Sequence, residues 1–311
     1  MRSRTIPRAH LDVSEIGLPV QPLADACRDA ADVGEAVALL REALERGITL
    51  LDAGEVDDDA PALDLLRTAL AGRRDGVVLG AQIGSDVSPE RLGSWCERIC
   101  ARLATDRLDL LQLRHPNLTA LRNSATFSAL EALVEDGRIG TYGIVVAPGP
   151  GAVEVARRAM DLREVPTAQI DFNLLSPDPG AAIAAAGVES DCAILVRDPH
   201  DAGLLEGKYS PQMRFPRSDR RRQRPEGWLQ EGLRRVTLLS ALADERECTV
   251  GQLAVAWLLA QPGVTAVLPT VHTESQLGEF CAGAAVPGLT EEELAAVAAL
   301  QESGFAEPAP A

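Results

Sequence analysis

Short runs rich in leucine and β-branched residues alternate along this chain with longer stretches in which apolar residues recur every three to four positions. The first pattern suits strands and the second amphipathic helices. The runs predict eight strands, near 16–20 (IGLPV), 48–52 (ITLLD), 77–81 (VVLGA), 108–113 (LDLLQL), 141–146 (TYGIVV), 168–172 (AQIDF), 193–197 (AILVR) and 265–269 (TAVLP). Helical periodicity fills 33–45, 61–71, 89–104, 124–136, 151–160, 180–186, 229–246, 249–260 and 290–301, the last opened by Thr290 as an N-cap with an acidic turn behind it. Repeated strand–helix units require parallel strands joined by right-handed crossovers, and eight such units close into a barrel. The expected fold is therefore α/β, a (β/α)8 TIM barrel forming one domain over 1–311.

Between the seventh predicted strand and the next long helix lies a polar stretch, 206–228, too long for a βα connection of about 2–6 residues. At the C-terminal face of a barrel such a loop covers the mouth. The end of the chain, 303–311, reads as a flexible tail.

Composition narrows the function classes. With 46% hydrophobic residues over 311 positions the chain can bury one large core. The formal charge of −16 opposes binding to a polyanion, so no nucleic-acid partner is expected. The local exception is the basic run from Arg217 to Arg224 (RSDRRRQR), a solvated loop or an anion-binding lid. No apolar run approaches the ~20 residues that span a bilayer, and MRSRTIPRAHLDVSEIG lacks the apolar segment of a signal peptide, which predicts a cytoplasmic protein with no membrane partner. Six cysteines, Cys27, Cys96, Cys100, Cys192, Cys248 and Cys281, show no CxxC spacing and read as reduced packing thiols. His10, His200 and His272 are scattered, so no metal site is expected.

Several segments jointly carry a resemblance: LDVSEIGL at 11–18, GITLLDAG at 47–54, LDLLQLRHPN at 108–117, ALEALVEDGRIGTYGI at 129–144, QIDFNLL at 169–175, DAGLLEGKY at 201–209, VAWLLAQPGVTAVLP at 255–269 and HTESQLGEF at 272–280. On these the chain resembles the aldo-keto reductase superfamily along nearly its whole length. The resemblance implies a catalytic tetrad of Asp, Tyr, Lys and His at the strand mouths. In that tetrad tyrosine protonates a carbonyl oxygen while NADPH delivers hydride, and lysine, held by aspartate, lowers the tyrosine's pKa.

Position by position, the aspartate matches Asp52, but the pattern D-T-A-x-x-Y-G puts Asp57 at the tyrosine, Gln82 at the lysine and Arg114 at the histidine, with His115 beside it. Lys208, the single lysine, lies in the segment that resembles the family's own G-K-Y, and the tyrosines are Tyr142 and Tyr209. The resemblance also implies an eroded cofactor groove. Val145 and Val146 stand at two ligands of the nicotinamide amide, while Gln169 matches the third. Arg197 stands at the stacking aromatic. Gly203, Leu204, Leu205, Gly207 and Lys208 match the pyrophosphate loop, and Thr273 and Gln276 the 2′-phosphate end, where His272 replaces a basic residue. NADP(H) is thus the implied cofactor. Inherited loop geometry accounts for the same matches, and the cofactor stays open.

The mouth is expected to present Asp52, Glu55, Asp57, Gln82, Arg114, His115, Asp171 and Arg197. Arg114 and Arg197 suit clamps for a carboxylate or enolate, with Asp57 or His115 as general base and Glu55 and Asp171 beside the substrate. Lacking an ammonium partner, Asp52 either pairs with Arg114 in a purely structural role or tends towards neutrality. Asp57, Asp58 and Asp59 form an acidic cluster, solvated or cation-binding. Three readings follow. The first is a redox-neutral elimination, isomerisation or cyclisation of a small, polar or anionic biosynthetic intermediate. The second is an NADP(H)-dependent oxidoreductase with an unorthodox proton donor, and the third a non-catalytic binding or regulatory subunit.

Overall fold

Ten strands organise the computed structural model, which describes residues 1–27, 30–57, 59–217 and 219–306, with backbone alone at 30 and 220. In chain order they are β1 (Ser3–Ile6), β2 (Leu11–Ser14), β3 (Gly17–Pro19), β4 (Leu50–Glu55), β5 (Val78–Gly84), β6 (Leu108–Arg114), β7 (Ile139–Val145), β8 (Thr167–Asp171), β9 (Ala193–Arg197) and β10 (Val264–Leu268). Strands β3 to β10 form one parallel sheet in sequential order. It closes where Ile16 bridges Val267 and the Val267 N–H donates to the Glu15 carbonyl at 2.8 Å. The eight strands read from the sequence are these, with ends shifted by up to three residues, and the fold is the expected (β/α)8 barrel.

Alternation sets the interior. Leu50, Val78, Leu110, Leu195, Ala266 and Leu268 form an apolar floor, sealed from below by Ile6 and Val13 of the antiparallel β1–β2 hairpin. The intervening residues, such as Leu51, Leu79, Leu111, Ile170 and Val196, face outward and join the main core under the helices. The hairpin was not foreseen. Its four-residue strands are held in place by Glu15, buried between Arg2 and Arg4 at 2.8 Å each. Arg4 also donates to the carbonyls of Leu259 and Val264.

The helices follow the predicted intervals and take their ends from local chemistry. Proline opens Pro61–Ala69 and Pro89–Leu103, and capping boxes open Val250–Ala260 (Thr249 with Gln252) and Glu291–Glu302 (Thr290 with Glu293). Three helices escaped the periodicity: Gln21–Ala26, Leu118–Arg122 and Glu274–Ala285. Among the described residues no helix is long and apolar enough to cross a membrane.

The tail needs correcting. Phe305 is buried under Arg235, and its carbonyl accepts from Arg234, so the chain stays docked through Phe305. Residues 307–311 of the predicted tail lie outside the described residues. The loop 206–228 is also more organised than a solvated basic run implies. Arg221 lies over the rings of Tyr209 and Phe215 and pairs with Asp219, and Arg224 lies over Trp228. Ser218 in that run is outside the described residues. Burial pushes the thiols of Cys96 and Cys192 up to about 12 and that of Cys100 up to about 11, which keeps them protonated packing groups.

Candidate active site

The C-terminal ends of β4, β5 and β8 bring three polar side chains together above the apolar floor. Asp52, buried inside the barrel, accepts from Gln82 Nε2 at 2.8 Å and Gln169 Nε2 at 3.3 Å through Oδ2. Its Oδ1 accepts from the Gly54 N–H at 2.9 Å, where the left-handed turn at Gly54 (φ 81°) folds the chain back over the carboxylate. Gln82 Nε2 also donates to Gln169 Oε1 at 3.2 Å, while Gln82 Oε1 is buried with no hydrogen-bond partner among the described residues. Burial raises the Asp52 pKa above the ordinary carboxylate range; the three donors and the charge of Arg197 pull the other way.

The Asp52–Arg114 pair expected as one alternative does not form. Arg114 ends β6, in register with Gly84 and Val145, and its Nε meets Glu55 Oε2 at 3.1 Å. Gln82 and Gln169 lie within reach of Asp52 instead, and their amides satisfy it. Across the mouth Asp171 and Arg197 are register partners on β8 and β9, and Arg197 pairs with Asp171 while donating to the Val146 carbonyl at 3.1 Å. Two arginine–carboxylate pairs therefore rim the opening.

His115 follows β6 in a left-handed conformation (φ 50°), its N–H extending the ladder to the Val145 carbonyl at 2.8 Å. Its pKa is lowered by burial first and then by the charges of Arg114 and Arg197, so the ring is neutral at pH 7. Its Nε2 is buried and has no hydrogen-bond partner among the described residues. Asp57 is not joined to this assembly. It is exposed in the turn after β4, accepts from the Asp59 N–H at 3.0 Å, and adds its charge to that acting on Arg102 of an outer helix. Asp58 lies outside the described residues.

Lys208 and the tyrosines are engaged elsewhere. Lys208 pairs with Glu206 in the loop after β9. Tyr142 is buried edge-on to Phe127, with ring centroids 6.3 Å apart. The Tyr209 hydroxyl donates to the Ala202 carbonyl at 2.7 Å and accepts from Arg221.

Beside the mouth a groove of about 680 Å³ runs between the segments after β9 and β10, lined in part by Asp198, Gly203, Glu206, Lys208, Arg221 and Gln276. In these segments Gly203 (φ 92°) and Gly207 (φ 71°) bend the backbone, and Thr273 caps helix Glu274–Ala285 by accepting from the Gln276 N–H. Leu204 points away, buried where it crowds Gly232. Gln169, expected to hold a nicotinamide amide, spends its side chain on Asp52 and Gln82. The charge does not fit a dinucleotide: Asp25, Asp198, Glu206 and Asp219 line the groove together with Lys208 and Arg221, which already pair with Glu206 and Asp219, and Asp198 lies 4.0 Å from Arg224. Burial pushes Asp198 up to about 6, which leaves it ionised at neutral pH. Sequence reasoning missed Glu206 and Asp198. The signal for Glu206 was a carboxylate two positions before the chain's only lysine.

Comparison with known proteins matches the sequence profile of the aldo/keto reductase family over residues 27–302. The uncharacterized oxidoreductase YqkF of Bacillus subtilis is 26% identical, over 96% of this chain and 95% of its own. The aldo-keto reductase str7 of Strobilurus tenacellus is 28% identical, over 86% of this chain and 81% of its own. Among solved structures, the glycerol dehydrogenase AKR11B4 from Gluconobacter oxydans superposes with a TM-score of 0.83 at 21% identity, covering 99% of this chain and 98% of that one. The holo form of AKR11C1 from Bacillus halodurans gives 0.77 at 22%, with 96% of both chains covered.

Proposed function

Because the chain belongs to the aldo/keto reductase family, we propose that it uses the family's barrel mouth for proton transfer on a small anionic substrate, a redox-neutral elimination, isomerisation or cyclisation. One observation carries this reading: Asp52 is held by the amides of Gln82 and Gln169, while Lys208 pairs with Glu206, the Tyr209 hydroxyl bonds the Ala202 carbonyl and Tyr142 is packed against Phe127. No phenol–ammonium couple then stands ready to protonate a carbonyl beside a hydride donor. What surrounds the mouth is a neutral imidazole, whose buried Nε2 has no hydrogen-bond partner among the described residues, and two guanidinium groups.

In this reading Arg114 and Arg197 orient the substrate's carboxylate and carry the charge of an enolate as it develops. Glu55 and Asp171 hold the two guanidinium groups in place until substrate arrives. The His115 ring, turned so that Nε2 is uncovered to the substrate, takes the proton from the carbon next to the substrate carbonyl, and the resulting imidazolium returns it at a second carbon or to a departing hydroxyl. Protons balance and no electrons are transferred.

The test is to incubate the protein with pyruvate, acetoacetate and 3-hydroxybutyrate in D₂O, following carbon-bound deuterium by NMR and NADPH by absorbance. Exchange or conversion without NADPH oxidation is the expected result, reduced about 100-fold or more in His115→Ala. NADPH oxidation coupled to carbonyl loss, with no exchange, would replace this reading.

The comparisons favour a second reading. Curated relatives carry the names reductase and oxidoreductase, and the loop after β9 bends at Gly203 and Gly207, the positions that match a pyrophosphate loop in the resemblance. On that reading the protein is an NADP(H)-dependent oxidoreductase with an atypical proton donor. Asp52, whose pKa burial raises, is the group that fits that role. The third reading, a non-catalytic subunit, draws no support from a particular contact.

A further inference from the structure

Glu206 sits where the loop after β9 meets the start of helix Glu274–Ala285. The left-handed glycines Gly203 and Gly207 flank the short turn Leu204–Glu206 and tuck the carboxylate inward, to 16% exposure. One oxygen, Oε2, receives both the Lys208 ammonium and Gln276 Nε2, the latter at 2.8 Å. Gln276 Oε1 in turn accepts from the His272 N–H at 3.0 Å, which fixes the amide in its orientation. An ammonium and a side-chain amide carried on the first turn of a 12-residue helix are donors of the kind that gather around a phosphate. Here they converge on a carboxylate belonging to the protein itself.

We infer that Glu206 is an internal anion occupying the phosphate subsite of this groove, and that it sets the groove's specificity against phosphorylated ligands such as a dinucleotide. The surroundings act in the same direction. Asp25, Asp198 and Asp219 also line the groove, where Arg221 is bonded to Asp219 and Tyr209, and Arg224 at its edge lies 4.0 Å from Asp198 and 3.9 Å from Asp201. His200 and His272 add no positive charge at neutral pH, since burial lowers the pKa of both. An incoming phosphate must displace Glu206 from Lys208 and Gln276 and then share the cavity with it, two like charges in a partly enclosed space. The inference concerns the groove and does not depend on the chemistry proposed for the mouth.

The experiment is isothermal titration calorimetry of the full chain with inorganic pyrophosphate and with NADPH, on the wild type, Glu206→Gln and Glu206→Ala. Thermal melts confirm that each variant is folded. The wild type is expected to bind neither probe below about 1 mM, and both variants to bind at least about tenfold tighter. Adding Lys208→Ala to Glu206→Ala should remove that gain. Low-micromolar binding of either probe by the wild type overturns the inference even if no variant folds, and so does unchanged affinity in folded variants. NADPH that binds without being oxidised counts against this inference alone, whereas oxidation coupled to a carbonyl counts against the proton-transfer reading of the mouth.

Discussion

A carboxylate taken out of water loses hydration that only a countercharge or a full set of donors replaces. Asp52 has donors from Gly54, Gln82 and Gln169 but no cation bonded to it, and burial raises its pKa. Since folding favours the protonated form, this group's contribution to stability is fully present below the ordinary carboxyl range and is lost as the pH rises through the raised value. Asp52→Asn should therefore stabilise the protein at pH 7.5 by about 1 kcal/mol, with the advantage fading below about pH 4. Urea unfolding at the two pH values measures it, and a loss of stability at pH 7.5 would show that the amides hold the ionised form firmly. At the rim, Arg197→Ala breaks a pair that is 22% and 37% exposed on its two sides, so it should cost less than about 1 kcal/mol in the same unfolding experiment while abolishing substrate exchange in D₂O. Equal exchange rates in the variant would remove Arg197 from the site.

At the scale of elements, the barrel depends on a part that its sequence hardly announces. The hairpin β1–β2 plugs the floor with Ile6 and Val13, and Glu15 fastens it through Arg2 and Arg4. Glu15 is a buried carboxylate with two guanidinium partners, and Glu15→Ala leaves Arg4 to the carbonyls of Leu259 and Val264 alone. The expected loss is about 3 kcal/mol, read as a lower urea midpoint at unchanged slope. A change under about 0.5 kcal/mol would mean that the hairpin docks by its apolar face alone. The eight barrel strands and the long helices were legible because each buries a periodic face large enough to impose a pattern. The hairpin strands SRTI and LDVS are too short to show one, and helices Gln21–Ala26 and Leu118–Arg122 span under two turns. Helix Glu274–Ala285 hides behind glycine and alanine, although Thr273 marks its start.

For the whole molecule the dominant quantity is the net charge of −16. Self-repulsion of that size weakens the compact state, and salt screens it over a Debye length of about 10 Å at 0.1 M. Raising NaCl from about 0.05 to 0.5 M should increase the melting temperature by a few degrees. A fall in melting temperature would show that the many arginine–carboxylate pairs outweigh the repulsion.

Hydrophobic period and turn chemistry act between neighbours in the chain, and for that reason the sequence by itself determined the strand–helix alternation, the barrel and the identity of the residues at the strand ends. It also limited the chemistry, since a chain with one lysine and two tyrosines has few ways to assemble a phenol–ammonium couple. Which of those residues touch was a tertiary decision. Asp52 bonds glutamines from β5 and β8 rather than Arg114 from β6, Asp57 turns outward, and Lys208 pairs with Glu206. Such pairings depend on strand register and side-chain reach across the barrel, where residues 30 and 117 positions away donate to the same acceptor. Local sequence carries no record of the winner.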